Sequence, residues 1–312
     1  MLKSIVDQLG NVKAEVIVVD DGSNNTCQNI VNQYKSSIEI NYCFKKNTGP
    51  GDSRNYGMNR ARGNYFILLD SDCLLPEDYL LRVNKELEEH YADAFGGPDL
   101  AHNSFTMKQK AISYAMTSFW TTGGLRNSEN VGEKFQLRSF NMGMSRQVFE
   151  STGGFSKQRI GEDIELNFRI WKSEFSTRFI PEAFVYHKRR TSWRQFFAQT
   201  NNFGAARPIL NRMYPKTGKL TYWFPSLFLL GGIVALLLLF FDFPYLMILY
   251  LIYLLFLTID SARVNKNILT GLLSSWAAVV QFSGYGSGFL RSLYRLSIQR
   301  KSYQEAFPGM FS

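Results

Sequence analysis

The chain has 312 residues, of which 45% are hydrophobic, and a formal net charge of +9. This length allows one good-sized domain and a further region. The basic charge is concentrated, because residues 183–219 contain eight Lys or Arg residues and no Asp or Glu. That block adjoins an uncharged apolar run, which favours contact with anionic membrane lipids on the cytosolic side and argues against nucleic acid as a partner.

The three cysteines, Cys27, Cys43 and Cys73, are odd in number and scattered along the chain. They indicate reduced thiols in a cytosolic domain rather than a disulfide framework. No Cys-x-x-Cys or paired histidine spacing is present, which argues against a zinc site. The first residues have the spacing of an ordinary amphipathic helix, not of a cleavable signal peptide.

Short strands and helices alternate over the first 91 residues. The apolar patterns predict strands over residues 16–19, 38–42 and 65–69, and helices over residues 1–9, 29–34, 50–63 and 77–91. Such alternation predicts an α/β fold with a mostly parallel, Rossmann-like sheet flanked by helices. In such sheets the ligand lies beyond the carboxyl ends of the strands. The acidic clusters Asp20-Asp21 and Asp70-Ser71-Asp72 both follow strands, so we expect them to share one site.

The middle of the chain is harder to interpret. A helix is predicted over residues 107–119, and a polar loop with several glycines follows over residues 122–132. A loop of this length is typical of a lid or an acceptor-binding segment, although a simple surface segment fits equally well. Residues 139–155 have the pattern of a strand followed by a short helix.

Asp70 and Asp72 are spaced so that both carboxylates point the same way from an extended chain. Oxygen ligands of this kind suit Mg²⁺ or Mn²⁺ carrying substrate phosphates. The alternative is that the two aspartates form a turn and cap the helix that begins near Pro76.

A second group of polar residues lies further along the chain. Glu162 and Asp163 open a helix, where they either serve capping and dipole interactions or supply a general base. His187 follows a predicted strand over residues 183–186, and a structural role for it is as compatible with the sequence as a functional one.

The remaining residues indicate a membrane region. The predicted domains are a catalytic domain (1–190), a basic amphipathic interfacial segment (191–219), a membrane region (220–290) and a basic cytosolic tail (291–312). Within the membrane region, residues 220–241 and 243–262 are predicted spans, and 267–290 is interfacial, re-entrant or spanning. In the interfacial segment we expect the arginines, such as Arg207, to point outward, with an ordinary packed helix as the alternative.

Several motifs in order resemble the family 2 glycosyltransferases over about residues 1–205. They are Val16-Ile17-Val18-Val19-Asp20-Asp21-Gly22-Ser23, Asn47-Thr48-Gly49-Pro50-Gly51 with Arg54, Asn55 and Gly57, Ala61 with Gly63 and Tyr65, Asp70-Ser71-Asp72, Asn141-Met142-Gly143, Gly153-Gly154-Phe155 and Gly161-Glu162-Asp163. The resemblance implies a nucleotide-sugar-binding fold of the GT-A kind, a divalent metal and inversion at the anomeric carbon.

The resemblance also implies roles for individual residues. Asp20 and Asp21 would contact the base or ribose of the donor, and Arg54, Asn55 and Asp70 would lie near the nucleotide. Asp72 and Asp70 would hold Mg²⁺ or Mn²⁺, and His187 is a candidate third ligand. Asp163 would be the general base, with Glu162 beside it in the catalytic group.

Two departures from the family pattern stand out. Family members usually begin with a central strand ahead of the helix that starts here at Met1, so the usual first strand is expected to be missing. The sequence would then begin at a late start position, or the protein would be truncated or impaired.

Processive synthases of the family carry Gln-x-x-Arg-Trp after the base, whereas Gln199 here lacks the Arg-Trp pair. This favours the addition of one sugar.

Three functions remain open from the sequence. The leading one is a membrane-anchored inverting glycosyltransferase at the cytosolic face of the cell (inner) membrane, acting on a lipid-linked or cell-envelope glycan acceptor. The second is a polyprenyl-phosphate sugar transferase, whose ionised acceptor needs no base. The third is a degenerate sugar-nucleotide-binding membrane subunit without catalysis.

Overall fold

A computed structural model describes residues 1–9, 12–124 and 135–311. The chain divides into two compact units. The α/β unit comprises residues 1–100, 129–187 and 309–312, and the helical unit comprises residues 101–128 and 188–308. The α/β unit is therefore not the continuous stretch 1–190 that the sequence predicts.

All strands in the described part of the chain belong to the α/β unit. They are β1 (Val16–Asp20), β2 (Ile40–Phe44), β3 (Tyr65–Leu69), β4 (Cys73–Leu74), β5 (Ala94–Gly96), β6 (Asp99–Leu100), β7 (Asn141–Ser145), β8 (Thr177–Phe179) and β9 (Val185–His187). The helices of both units are α1 (Leu2–Val6), α2 (Gln28–Asn32), α3 (Pro50–Arg60), α4 (Tyr79–Glu89), α5 (Met107–Thr117), α6 (Phe119–Thr122), α7 (Arg146–Thr152), α8 (Glu162–Lys172), α9 (Trp193–Met213), α10 (Phe224–Leu239), α11 (Tyr245–Asn265), α12 (Ile268–Leu293) and α13 (Tyr303–Ala306).

The strands form three small sheets. Their orders are β1-β2, β3-β7-β5-β8 and β4-β9-β6. Among the described strands, β1/β2, β5/β8 and β6/β9 pair in parallel, whereas β3/β7, β5/β7 and β4/β9 pair antiparallel. The α/β class with flanking helices agrees with the sequence, but the strand directions are more mixed than predicted. The causes are β7, which runs against both of its neighbours, and β4, which runs against β9.

Strand β3 lies between two apolar clusters of the α/β unit. Phe66 belongs to one cluster, and the alternate residues Tyr65, Ile67 and Leu69 pack against the other. A strand with both faces covered must turn away from the core when polar residues follow it. Asp70 begins that turn, which brings the acidic motif to the edge of the sheet.

Helix α12 is the central element of the helical unit. It packs closely against α9, since a Cβ atom built on Gly204 would lie 2.0 Å from the backbone oxygen of Tyr285. A Cβ atom on Gly288 would likewise lie 2.0 Å from the backbone oxygen of Asn201. Glycine at these positions permits an approach of two helix backbones that larger residues would prevent.

Helix α9 corrects one expectation. Arg190 and Arg194 are exposed near its start, but Arg207 is buried, with its guanidinium carbon 4.1 Å from the centre of the Tyr222 ring. The prediction that Arg207 points outward is therefore wrong. The aromatic face of Tyr222 compensates the buried cation in part.

Helix α5 belongs to the helical unit although the sequence places it in the catalytic domain. The side chain of Thr106 and that of Gln109 form a capping box at its start. Its buried residues Ala111, Ile112 and Ala115 join a cluster that includes residues of α9 and α12. This small apolar surface suits close helix packing, which places residues 101–124 with the later helices.

Two segments are long and apolar enough to cross a membrane by length and composition, Leu220–Leu239 and Tyr245–Asn265. They coincide with the two predicted spans. The third predicted segment, 267–290, lies in α12 from its second residue onward, and α12 is a single helix of 26 residues. An uninterrupted helix is not a re-entrant turn, so that alternative is not supported.

Candidate active site

The first part of the site forms where β1 and β2 end side by side. The carboxylate of Asp21 lies 2.6 Å from Nζ of Lys45, which directly follows β2. It also accepts the backbone N–H groups of Thr48 at 3.0 Å and Gly49 at 2.9 Å. Burial opposes ionisation of Asp21, but these contacts outweigh it and lower the pKa of the carboxyl group. Asp21 therefore fixes the loop that leads into α3 and stays ionised.

Asp20 differs from its neighbour in being buried. Its carboxylate accepts the Ser23 backbone N–H at 2.9 Å and the Tyr42 hydroxyl at 2.7 Å. Burial again opposes ionisation, and the hydrogen bonds overcome it, so that the pKa of Asp20 is lowered. Asp20 therefore organises the loop after β1, and its contact with the base or ribose stays a prediction.

Arg54 of α3 joins two acidic residues from separate parts of the chain. Its Nη2 atom lies 2.7 Å from Asp70 Oδ1, and its Nη1 atom lies 3.1 Å from Glu162 Oε1. Burial disfavours the charged guanidinium, but the carboxylates of Asp70 and Glu162 outweigh it and raise the pKa of Arg54, with Asp163 adding to the effect. The structure therefore brings the end of β3 and the start of α8 to one place.

Glu162 has the most perturbed carboxyl group of the described site. Burial raises its pKa to about 7, the negative charge of Asp163 adds to the rise, and Arg54 opposes it. Gly161, with φ +76°, precedes it in the left-handed region that suits glycine at a tight helix entry. Pairs of carboxyl groups with unequal surroundings are typical of functional sites.

Asp163 lies in a partly covered position beside a second arginine. Its Oδ1 atom accepts the Ile164 N–H at 2.8 Å, and its Oδ2 atom lies 4.0 Å from Nη1 of Arg138. Its side chain remains 15% exposed, so a hydroxyl group could still approach it.

A candidate pair of metal ligands forms at the three-stranded sheet β4-β9-β6. Strand β4 pairs antiparallel with β9, so that Cys73 stands opposite His187. Asp72, the residue before Cys73, thereby lies 3.3 Å from His187 through Oδ1 and Nε2. The His187 ring stacks on Phe140 with a centroid distance of 4.6 Å, which orients the imidazole.

The donors present fit a divalent cation such as Mn²⁺ or Mg²⁺. One ligand atom from each of Asp72, Cys73 and His187 lies within 4.8 Å of the others, and a carboxylate with an imidazole suits such an ion better than a soft thiol does. Asp70, which the resemblance places among the ligands, is outside this group and pairs with Arg54.

Asn55 holds two segments of the α/β unit together. Its side chain donates to the Phe155 backbone oxygen and accepts the Phe155 N–H, each at 2.8 Å. This arrangement positions the loop before α8 and uses both polar atoms of the amide. The nucleotide contact that the resemblance implies for Asn55 stays a prediction.

Two basic residues of the site escaped the sequence analysis. Lys45 follows β2, but the predicted strand ended at residue 42, two residues before the observed end at Phe44. Placement of the strand end two residues later would have aligned Lys45 with Asp21. Arg138 precedes β7 in a stretch with no motif, and the predicted lid loop, residues 122–132, lies mostly outside the described residues.

Comparisons with known proteins concern the family and the fold of the chain. The sequence model of the family described as Glycosyl transferase family 2 matches residues 1–153. Among curated proteins, the chain is 25% identical over 199 residues to the probable glycosyltransferase YdaM of Bacillus subtilis, which covers 60% of this chain and 46% of that protein. It is 33% identical over 181 residues to the glycosyltransferase GlyA of Streptococcus pneumoniae, covering 54% of this chain and 25% of that protein. The chain thus spans less than half the length of these relatives.

A solved structure shows the fold. The mannosyltransferase PcManGT from Pyrobaculum calidifontis, in complex with GDP-Man and Mn²⁺, is similar with a TM-score of 0.56 and 14% identity, over 94% of this chain and 82% of that chain. The predicted GT-A-like α/β fold is thereby confirmed.

Proposed function

We propose that this chain, which carries a family 2 glycosyltransferase domain in residues 1–153, transfers one sugar from a nucleotide-sugar donor with inversion. The acceptor in this proposal is a lipid-linked or cell-envelope glycan at the cytosolic face of the membrane. The observation that carries it is Arg54, which ties the acidic motif after β3 to the acidic start of α8.

The donor side is supported by the loops after β1, β2 and β3. Asp21 and Lys45 hold the entry to α3 in place, and Arg54 projects from α3 toward Asp70. Positive side chains at this edge suit the phosphates of a nucleotide sugar. In the proposal, Lys45 and Arg54 orient the diphosphate, and Asp21 keeps the loop rigid around it.

Asp72 and His187 would hold a divalent metal. Such an ion supplies positive charge that stabilises a departing diphosphate. The stacking of His187 on Phe140 and the β4–β9 pairing keep both side chains at one edge of their sheet. Preorganised ligands of this kind lose little freedom when an ion binds.

Asp163 is the proposed general base. The acceptor oxygen attacks the anomeric carbon, the bond to the diphosphate breaks with its electron pair, and Asp163 takes the hydroxyl proton. Attack on the face opposite the leaving group inverts the configuration. Glu162, with its raised pKa, shares Arg54 with Asp70 and so limits the negative charge around Asp163.

Localisation at the membrane rests on the two candidate spans and the basic block of residues 183–219. Positively charged segments next to a span favour the cytosolic side. Nucleotide sugars are then available on the same side as the α/β unit.

The test uses membranes that contain the full chain, labelled UDP- and GDP-sugars, and Mn²⁺. The measurement is release of nucleoside diphosphate. Asp163→Asn and Asp72→Ala are each expected to lower the rate by roughly 100-fold or more. Glu150→Gln is the control, because the Glu150 side chain is 64% exposed on α7.

The outcomes separate the alternatives. If both site variants keep the parent rate, the site assignment is wrong. Activity that survives Asp163→Asn but not Asp72→Ala would indicate an acceptor that is already ionised, such as a polyprenyl phosphate. Binding of nucleotide without release would favour a non-catalytic subunit.

A further inference from the structure

A basic cavity lies within the helical unit, between the C-terminal half of α9 and the end of α12. Its volume is about 510 Å³, and its lining consists of Pro208, Arg212, Leu293, Leu296, Ser297 and Arg300. The lining contains two guanidinium groups, one hydroxyl group, three apolar side chains and no carboxylate. Such a wall suits a ligand that joins an anion to a hydrocarbon.

The backbone around this cavity has an unusual local form. A π-helical turn over Tyr294–Ile298 continues α12, and Nη1 of Arg212 donates to the Leu296 backbone oxygen within it at 2.9 Å. Arg300 has φ +53°, in the left-handed region that is uncommon for residues other than glycine. Both features are enriched at functional sites, where the backbone re-aims particular side chains.

The cations near the cavity lack acidic partners. Among the described residues, no carboxylate lies within 4.0 Å of the charged groups of Arg212, Arg291, Arg295 or Arg300. The guanidinium carbons of Arg291 and Arg295 lie 5.7 and 5.1 Å from the same ring, that of Phe307. Like charges gathered without counter-charge create a strong positive potential.

Some buried polar atoms of the helical unit also lack partners. Nη1 of Arg207, Oδ1 of Asn211 and the hydroxyl oxygen of Tyr222 are buried without a hydrogen bond from the described residues. Arg207 precedes Pro208 of the lining, and Asn211 precedes Arg212. Unpaired buried polar groups are rare in folded proteins, and they point to a polar ligand or to ordered water.

The cavity lies just past the apolar part of the helical unit. The Ser226 hydroxyl at the start of α10 donates to the Gly286 backbone oxygen of α12 at 3.3 Å, and Phe228 contacts Phe282 with ring centroids 4.8 Å apart. The two helices therefore run antiparallel. Leu293 is seven residues beyond Gly286, which is about 10 Å along a helix and beyond the start of α10. If α10 spans a bilayer, this distance corresponds to the headgroup layer.

We propose that this cavity binds the phosphate group of a membrane lipid. Arg212 and Arg300 contact the phosphate oxygens, and Pro208, Leu293 and Leu296 contact the adjoining hydrocarbon. The inference needs neither the sugar donor nor the acceptor of the proposed transfer, so binding can be measured whether or not the chain is active.

The test measures binding of dioctanoyl phosphatidic acid to the full chain in a neutral detergent by isothermal titration calorimetry. Arg300→Gln is expected to weaken binding roughly tenfold, because one charge-assisted contact is lost. Arg300 is exposed, so its replacement should leave the Tm unchanged, which is checked on the same sample. Arg194→Gln removes the same charge from an exposed position of α9 and should leave the affinity unchanged.

Two further probes identify the source of the phosphate. Dioctanoylglycerol has the same chains without phosphate and should bind at least roughly tenfold more weakly. Inorganic phosphate at the same concentration should not displace the lipid. The proposal is overturned if dioctanoylglycerol binds equally, if inorganic phosphate competes equally, or if Arg194→Gln weakens binding as much as Arg300→Gln.

Discussion

The two units of the chain differ in whether their positively charged side chains have acidic partners. In the α/β unit, Lys45 lies 2.6 Å from Asp21 and 3.0 Å from Asp52, and Arg54 contacts both Asp70 and Glu162. In the described part of the helical unit, the arginines around the cavity have no such partners. An anion entering the α/β unit must compete with existing ion pairs, which favours a multiply charged ligand. In the helical unit, a single phosphate would neutralise part of the positive charge of these arginines.

The largest effect is expected from removal of the central pairing in the α/β unit. Arg54→Ala leaves Asp70 and the buried Glu162 without their cation, and breaking such a pair typically costs about 3–5 kcal/mol. The Tm of the purified chain at pH 8, measured by differential scanning fluorimetry, should fall accordingly. Nucleoside diphosphate release should be lost as well.

Arg300→Ala provides the matched change in the helical unit. Because Arg300 is exposed and has no acidic partner among the described residues, its loss should change stability by less than about 0.5 kcal/mol. If Arg54→Ala and Arg300→Ala destabilise the chain equally, the two units do not differ in their dependence on ion pairs.

The second prediction concerns what holds the helical unit together in place of ion pairs. Gly204→Ala would place a Cβ atom 2.0 Å from the Tyr285 backbone oxygen, so α9 and α12 must move apart. The expected cost is about 1–3 kcal/mol, seen as a lower Tm. Gly218→Ala is the control, since its nearest neighbour would be an Asn211 side-chain atom at 3.7 Å. Similar losses in both variants would argue against close backbone packing as the cause.

The third prediction is a pH dependence confined to the α/β unit. Burial and Asp163 raise the pKa of Glu162 from the ordinary 4.5 to about 7. The folded state therefore binds a proton more tightly than the unfolded state, and this stability is present below about pH 4.5 and lost as pH rises through about 7. Between pH 5 and 8, the Tm of the parent chain should fall more than that of Glu162→Gln. Parallel pH profiles for the two proteins would contradict the assignment.

The smallest effect is expected at the start of α5. Thr106→Ala removes a hydroxyl group that accepts the Gln109 N–H at 3.3 Å, which should cost about 1 kcal/mol. Thr106→Ser keeps the acceptor and should retain most of the stability. A loss of the same size with serine would mean that the methyl group, not the cap, is responsible.

The sequence predicted the strands and helices that are marked by a pattern within a few neighbouring residues. Strands β1 and β3 have five residues each, and their apolar runs end in the acidic motifs that marked them. Strands β4, β5, β6 and β8 have only two or three residues, too few for a period to be recognised. The antiparallel β7 was located as a strand, but its direction depends on partners far along the chain.

The sequence identified many residues of the candidate site, but it did not predict which of them contact one another. Arg54, Asp70 and Glu162 were each singled out, but their common ion pair joins residues 108 positions apart, which no local pattern encodes. The proximity of Asp72 and His187 similarly depends on the two-residue pairing of β4 with β9. The sequence also did not reveal that Asp20 and Asn55 form hydrogen bonds that hold loops of the α/β unit.

The division of the chain has a practical consequence for anyone who wishes to work without the apolar helices. Because residues 101–128 belong with residues 188–308, a fragment cut at residue 190 keeps α5 and discards the helices that cover Ala111, Ile112 and Ala115. Such a fragment would expose an apolar surface and precipitate. A soluble version would need a short polar bridge in place of residues 101–128 as well as the earlier stop.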